Sequence, residues 1–343
     1  MTLAGGRGVR YGTNISWRAM KMKLQIWRLG LAMFLGLAVG AVAVTYYIDD
    51  SSNSGDVWTP TATGNDANDG LTPSTPKLTL AGLFASTNLQ PGDVVLIDTG
   101  TYATNILIGT AVNGTAGNPI LFQGSTNLAA GGTTFTGSGT ILEVRGNYLH
   151  FRDIRSTGGA TAFLLNGAQF CEFERVFASG AGNGFDLRGQ SNSNTFRRCA
   201  FLSQVGGAFR PYAPARGNYL ENCVAYARDS AGIVVVTCVS NVVRCISGGA
   251  WGISSDAAPQ DLYASHNIFY YTSSQFAPQF DTFSDFQRFY TNTFANTVAD
   301  PRFVDAAGLD FHLLSASGFI SNNVWVTNPA VGYSPGIDFG PRE

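Results

Sequence analysis

The chain has 343 residues, of which 13% are charged and 41 are glycine, against about 25% and about 7% in an average soluble protein. Only 3 of its 21 basic residues are lysine, which argues against a helical or α/β domain with many exposed helix faces. Disorder is also excluded, because 45% of the residues are apolar and 12% are aromatic, enough for a large core. The turn-rich, β-branched sequence predicts an all-β chain of many short strands.

Residues 1–43 have the pattern of a secretory signal peptide. They contain no acidic residue, carry six basic residues, and lead into an apolar run from Leu29 to Val44 with a small-x-small cleavage site at Ala41–Ala43. An uncleaved membrane anchor is the alternative, although the run is shorter than the ~20 residues that a span needs. Cleavage would leave 15 basic and 23 acidic residues.

The acidic mature chain has consequences for its partners and its location. Nucleic-acid binding is not expected, because neutralising phosphates requires a basic surface. We expect a secreted monomer, extracellular or on the cell surface, that has no membrane contact after cleavage. The periplasm is the alternative compartment.

A repeat of about 23 residues runs through the middle of the chain. One set of similar segments starts at positions that are 22, 23, 24, 22 and 23 residues apart, namely Phe151, Phe173, Phe196, Leu220, Val242 and Ser265. A second strand with apolar alternation lies upstream in each repeat, starting at Leu142, Phe163, Phe185, Phe209, Ile233 and Ile253. Strands this short cannot bury a face alone, so the repeats must stack as a parallel β-solenoid.

The cysteines follow the same repeat. Three of them share one inward position on consecutive coils: Cys199, Cys223 and Cys245. The alignment puts Ile268 at this position in the next coil, Cys171 inward on the neighbouring strand, and Cys238 in a turn. Asn222 and Asn267 are expected at the tight bend, because asparagine tolerates the left-handed backbone. A ladder of buried thiols is predicted, with a disulfide between neighbouring coils as the alternative.

Both ends of a solenoid need a cap. The spacing of Leu80, Leu83 and Phe84 predicts a short amphipathic helix over 78–88. Past Asn292 the period breaks, which indicates an irregular C-terminal cap. The predicted organisation is therefore a signal peptide (1–43), an N-terminal cap region (44–92), β-helix coils (93–299) and a C-terminal cap (300–343).

Several motifs carry a resemblance to a known family. They are Tyr46–Asp49, Gly64–Gly70, Pro91–Val94, Gly114–Ile120, Asp300–Asp305 and Ser334–Asp338. Together they resemble secreted bacterial members of the pectate-lyase-like superfamily of right-handed parallel β-helix proteins. The resemblance implies a right-handed parallel β-helix that binds polysaccharide. It does not imply one activity, because the superfamily includes lyases, hydrolases, epimerases, phage tailspikes and non-catalytic surface modules.

The resemblance also implies where a site would lie. Lyases of this superfamily bind substrate across the outward face of one parallel sheet, which we equate with the upstream strands. The candidate catalytic residues on that face are Asp186, Arg188, Arg210 and Tyr212, and the candidate substrate-binding residues are Glu143, Arg145 and Asn166. Arginine holds uronate carboxylates through paired hydrogen bonds, and tyrosine offers a stacking or hydrogen-bonding surface.

Three mechanisms compete for this face. Calcium-assisted lysis needs more clustered carboxylates than Glu143 and Asp186, so no metal or cofactor is predicted and calcium is the weaker alternative. Inverting hydrolysis needs two carboxylates about 6.5–9.5 Å apart, and these two lie two coils, or about 9.6 Å, apart. Metal-free β-elimination fits the residue types best, with Arg188 or Arg210 neutralising a uronate and Tyr212 as base or acid.

The functional prediction is therefore an exported β-helix protein that acts on an acidic, uronate-containing polysaccharide as a lyase or a hydrolase. The alternative is a non-catalytic surface or adhesion module. In that case the same charges would form only weak ion pairs across a solvated strand face.

Overall fold

The computed structural model describes residues 42–235, 239–243, 245–256, 258 and 261–300, and the backbone of four strands between 303 and 326. Nearly all of the predicted signal peptide, most of the predicted C-terminal cap, and Cys238 lie outside the described residues. The described part is a parallel β-solenoid whose coils contribute one short strand to each of three sheets. The all-β prediction is confirmed.

The longest sheet, sheet A, has ten strands that are all parallel. In spatial order they are β1 (Thr45–Ile48), β2 (Val94–Ile97), β5 (Ile120–Gly124), β8 (Leu149–Arg152), β11 (Glu172–Glu174), β14 (Thr195–Arg197), β17 (Arg216–Glu221), β20 (Val239–Val243), β23 (Leu262–Ser265) and β25 (Thr293–Phe294). Each strand pairs with its copy one coil away, as the repeat predicts.

Sheet B has nine strands, which follow those of sheet A along the chain. They are β3 (Gly100–Ala103), β6 (Thr133–Gly137), β9 (Ile154–Gly158), β12 (Phe177–Gly180), β15 (Ala200–Ser203), β18 (Val224–Ala231), β21 (Ile246–Trp251), β24 (Ile268–Tyr271) and β26 (Thr297–Val298). Sheet C has five, namely β4 (Ile106–Ile108), β7 (Thr140–Val144), β10 (Thr161–Asn166), β13 (Asn183–Arg188) and β16 (Phe209–Pro211). The pair β19 (Val234–Val235) and β22 (Ser254–Ser255) follows β16 through a bridge from Phe209 to Ile233.

A single residue in the left-handed region turns the chain from sheet A into sheet B. Among the described residues, those with positive φ at this bend are Asp153, Arg175, Arg198, Asn222, His266 and Ala295. Asn222 is at the bend as predicted. In the coil of β23 the bend residue is His266 and not Asn267, because Val242 pairs with Ala264 and not with Ser265. The predicted alignment of that coil was therefore one residue off.

The thiol ladder is confirmed for three coils. Cys199, Cys223 and Cys245 are buried free thiols in register with one another, and Cys171 is a fourth buried free thiol. The expectation of Ile268 at the next position is wrong, because Asn267 lies there. The buried side chain of Asn267 accepts the Cys245 N–H at 2.7 Å and donates to a backbone carbonyl at 2.9 Å.

Stacked phenylalanine rings fill the core. On sheet A the rings of Phe122, Phe151, Phe173 and Phe196 stack with centroids 4.9–5.1 Å apart. Phenylalanine rings of sheet C meet them edge to face. Because each ring is in van der Waals contact with its copies on adjacent coils, the core fixes the coil register and the outward faces with it.

Two helices flank the coils. Helix α1 (Leu80–Ser86) starts at Thr79, whose hydroxyl accepts the Gly82 N–H, and buries Leu80 and Leu83, as predicted for the N-terminal cap. Helix α2 (Phe283–Phe289), which the sequence did not predict, lies between β24 and β25. Beyond the coils, the backbone forms two antiparallel hairpins, β27 (Phe303–Asp305) with β28 (Asp310–Leu313) and β29 (Phe319–Ser321) with β30 (Val324–Val326).

Candidate active site

Sheet C carries the candidate site, and its register is the predicted one. Leu164 of β10 pairs with Glu143 on one side and Asp186 on the other, and Asp186 pairs with Arg210 of β16. Asn166 pairs with Arg188 in the neighbouring column. The structure therefore brings all seven candidate residues onto one face of four consecutive coils.

Glu143 forms one end of this face. Its Oε1 accepts hydrogen bonds from Arg145 Nε at 2.7 Å and from Asn166 Nδ2 at 3.0 Å. Partial burial acts to raise its pKa, but these two hydrogen bonds and the arginine charge prevail and lower it. Glu143 is therefore ionised at neutral pH, as an anion whose charge is already shared with its neighbours.

Asp186 lies at the centre of the face and is fully buried although its position points outward. Its Oδ2 accepts hydrogen bonds from Arg188 Nε at 2.9 Å and pairs with Arg188 Nη2 at 2.7 Å. Burial raises the pKa of Asp186, while the charges of Arg188 and Arg210 act to lower it. Its Oδ1 is buried without a hydrogen-bond partner.

Arg210 and Tyr212 form the other end. The Arg210 guanidinium lies over the Tyr212 ring, 4.4 Å from its centroid, and the Arg188 guanidinium lies 5.9 Å from the same centroid. The Nε of Arg210 is buried without a hydrogen-bond partner, and its Nη1 has only a 3.4 Å contact with Asn183 Oδ1. Asn183 was not among the predicted residues. It begins β13, three residues before Asp186, so the strand pattern offers no signal for it.

The face therefore holds one buried acceptor and one buried donor that lack hydrogen-bond partners. Asp186 Oδ1 and Arg210 Nε are buried on paired residues of adjacent strands, and burying such atoms unsatisfied costs about 1–3 kcal/mol each. The remaining N–H groups of the Arg210 guanidinium are hydrogen-bond donors for an incoming carboxylate.

A second group of carboxylates lies at the N-terminal end and was not predicted. Both oxygens of Asp49 and of Asp56 are buried without a hydrogen-bond partner, whereas Asp98 accepts three backbone N–H groups of residues 57–59 at 2.7 Å. Burial and the Asp56 charge raise the pKa of Asp49 to about 8. Burial and the Asp98 charge raise the pKa of Asp56 to about 6. The Thr59 hydroxyl acts to lower the pKa of Asp49, but burial and the Asp56 charge outweigh it.

The described residues contain neither a cluster of metal ligands nor a membrane-spanning helix. No group of three or more His, Cys, Asp or Glu side chains in that part of the chain is arranged to hold a metal ion. No helix among the same residues is long and apolar enough to cross a membrane.

Comparison with known proteins identifies the fold. No protein-family model matches the sequence, and no curated protein matches it either. Among solved structures, pectate lyase Pel9A superimposes with a TM-score of 0.51 at 15% sequence identity, over 85% of this chain and 89% of that one. The chain has the fold of a pectate-lyase-like β-helix. The resemblance inferred from the sequence motifs is thus confirmed at the level of the fold.

Other structures with this fold are more distant. A rhamnogalacturonan lyase gives a TM-score of 0.42 at 19% identity, over 67% of this chain and 69% of that one. The pectin methylesterase from Aspergillus niger gives 0.42 at 10% identity, over 73% and 86%.

Proposed function

We propose that this β-helix protein cleaves an acidic, uronate-containing polysaccharide by β-elimination on the outward face of sheet C. The observation that carries the proposal is the Arg210–Tyr212 pair. A guanidinium with unused donors lies directly over a phenol ring, and a second guanidinium, that of Arg188, is close by. The fold shared with pectate lyase Pel9A is consistent with this chemistry.

In this mechanism Arg210 binds the uronate carboxylate and offsets its charge, which makes the C5 proton more acidic. Tyr212 is the proton-transfer group. The Tyr212 phenolate takes the C5 proton, the electron pair of the C5–H bond forms the C4–C5 double bond, and the bond from C4 to the glycosidic oxygen breaks. That oxygen takes the proton from the Tyr212 phenol, which regenerates the phenolate. Asp186 holds Arg188 through two contacts below 3.0 Å and thus acts as a positioning residue.

The test uses the ultraviolet absorbance of the unsaturated product, with several uronate polysaccharides as substrates. We expect Arg210→Ala and Tyr212→Phe each to lower kcat/KM by at least about 100-fold, the usual scale for losing a charge-stabilising or proton-transfer group. Arg197→Ala is the matched control, since Arg197 is an ion-paired arginine on the outward face of sheet A. Full activity in the Arg210 and Tyr212 variants would overturn the assignment.

Inverting hydrolysis is the second candidate, and one observation favours it. The pKa of Glu143 is lowered, and the pKa of Asp186, which lies two coils away from Glu143, is raised. Carboxyl pairs whose pKa values diverge suit a base and an acid, respectively. Release of reducing ends without an unsaturated product would identify this reaction. Binding without either product would identify a non-catalytic surface module.

Export is part of the proposal. The charge pattern of residues 1–43 supports cleavage after Ala43 and release of a polysaccharide-binding monomer from the cell. N-terminal sequencing of the secreted protein would test the cleavage site, and light scattering would test the monomeric state. A mature protein that retains residues 1–43 would show that the segment is not a cleaved signal.

A further inference from the structure

A stacked pair of aromatic rings lies on the surface beside the candidate active site. Tyr148 and Phe170 occupy the turn that leads from sheet C to sheet A on consecutive coils, with ring centroids 4.9 Å apart and planes inclined by 9°. Phe170 is 45% exposed. Arg145 precedes Tyr148 by three residues, and Asn166 precedes Phe170 by four. The aromatic pair therefore borders the polar face of sheet C.

The aromatic stack ends at Phe170, because the next two residues of this turn column are small. We call the gap that they leave beside the Phe170 ring the step. The same turn position holds Ser193 on the next coil and Gly217 on the one after, as the strand register shows. Both residues are exposed, and a Cβ built on Gly217 would contact only Ser193, at 3.6 Å or more. Because coils are about 4.8 Å apart, the free face of the Phe170 ring looks into a space about two coils deep that no large side chain of this column fills.

The turn that presents these rings is rigid and strained. Tyr148, Phe170 and Ser193 have φ values of 54°, 56° and 56°, a region that costs energy for an aromatic residue. Behind them, Cys171 N–H donates to Asn194 Oδ1 at 2.9 Å. On the next coil, Asn194 N–H donates to Asn218 Oδ1 at 3.0 Å, and both asparagines are buried. An exposed ring held at a strained, fixed position is suited to binding and contributes little to the core.

The charge beside the step is positive. Arg216 directly precedes Gly217, is exposed, and forms no ion pair with the described residues. Arg188, whose side chain is 55% exposed, ends the sheet C strand that leads to Ser193. A flat apolar ring face with an exposed guanidinium on the second coil after it matches a uronic acid residue, because a pyranose offers an apolar C–H face to a ring and its carboxylate pairs with arginine.

We propose that Phe170, Ser193, Gly217 and Arg216 form a uronate-binding subsite, in which one pyranose ring stacks on Phe170 and its carboxylate pairs with Arg216. This inference rests on the proposed function for the identity of the polymer. The subsite lies at the edge of the catalytic face and would hold a sugar outside the bond that is cleaved.

The test is calorimetric titration with hexamers of galacturonate and of mannuronate, in a Tyr212→Phe background that keeps them intact. We expect Phe170→Ala to weaken binding about tenfold and Phe170→Tyr to leave it within twofold. Arg216→Gln should weaken binding of the acidic hexamer but not of its carboxyl-reduced form. Phe289→Ala is the matched control, since Phe289 is equally exposed on α2.

The Ser193→Phe variant distinguishes binding in the step from nonspecific binding to an apolar surface. It would continue the aromatic stack by one coil and fill the space, so binding should fall although apolar surface is added. Tighter binding in this variant, unchanged affinity in Phe170→Ala, or no binding of either hexamer would each overturn the subsite. Hexamer binding without polymer cleavage by the unmodified chain would overturn the lyase but not the subsite.

Discussion

Substitution of Asp49 by asparagine should remove a pH-dependent loss of stability. The Asp49 side chain is fully buried after β1, with the Asp56 and Asp98 carboxylates nearby. Burial and these charges raise its pKa from 3.8 to about 8. In the unfolded chain the same carboxyl returns to its ordinary value.

The sign and size of the effect follow from proton linkage. Between the unfolded and folded pKa values the folded chain holds a proton that the unfolded chain has lost, so stability falls as pH rises from about 4 to about 8. The slope approaches about 1.4 kcal/mol per pH unit, and from pH 6.5 to pH 8 the loss is about 1.6 kcal/mol. Asp56, with a pKa of about 6, contributes most of its loss of stability below that window, so Asp49 accounts for most of the loss within it.

Urea unfolding at pH 6.5, 7, 7.5 and 8 measures this slope. We expect a falling midpoint in the unmodified chain and a nearly flat one in Asp49→Asn. Asp69→Asn is the control, because hydrogen bonds lower the pKa of this exposed carboxyl and place its linkage below pH 4. A midpoint that rises with pH, or an equal slope in Asp49→Asn, would refute the account of a buried carboxyl that keeps its proton.

Three further expectations concern the core and the site. Phe196→Ala should lower the free energy of unfolding by about 3–5 kcal/mol in equilibrium denaturation, because its ring stacks between coils; a loss below 1 kcal/mol would contradict this. In a Cys238→Ser background, the buried thiols should react with a thiol reagent only after denaturation, because burial hinders access and raises the pKa of Cys171 to about 12. Fast labelling of the native chain would contradict the ladder of buried thiols. Glu143→Gln should change β-elimination less than threefold but abolish a hydrolase; a lyase inactivated by this change would require a new role for Glu143.

Sequence periodicity predicts most of the fold because the solenoid repeats one physical requirement in every coil. Two inward side chains around a tight bend recur every 22–24 residues, and the register of the strands follows from them. The predicted repeat alignment was wrong by one residue at 265–268. The following coil is interrupted by α2, so no regular repeat corrects the alignment. Ile268 is also apolar and buried, but on the other strand.

The composition of the site was predictable and its electrostatics were not. Alternation identifies which side chains leave sheet C on the outward face, and all seven candidates are there. Burial depends on what neighbouring coils place over a residue, which alternation does not encode. The outward Asp186 is therefore buried, while the outward Glu143 remains partly exposed.

The two central arginines differ in the ion pairs that they already form. This difference determines which of them binds a substrate carboxylate at the lower cost in free energy. Arg188 already neutralises Asp186 through contacts of 2.7 and 2.9 Å, so a second carboxylate would have to compete with a buried one. Arg210 makes only a long contact with Asn183 and leaves its Nε unused. Displacing Arg188 would remove both short contacts of the buried Asp186 carboxylate, which costs more than the new ion pair returns. Arg210 is therefore the arginine that receives the substrate, and Arg188 the one that keeps the Asp186 charge in place beneath it.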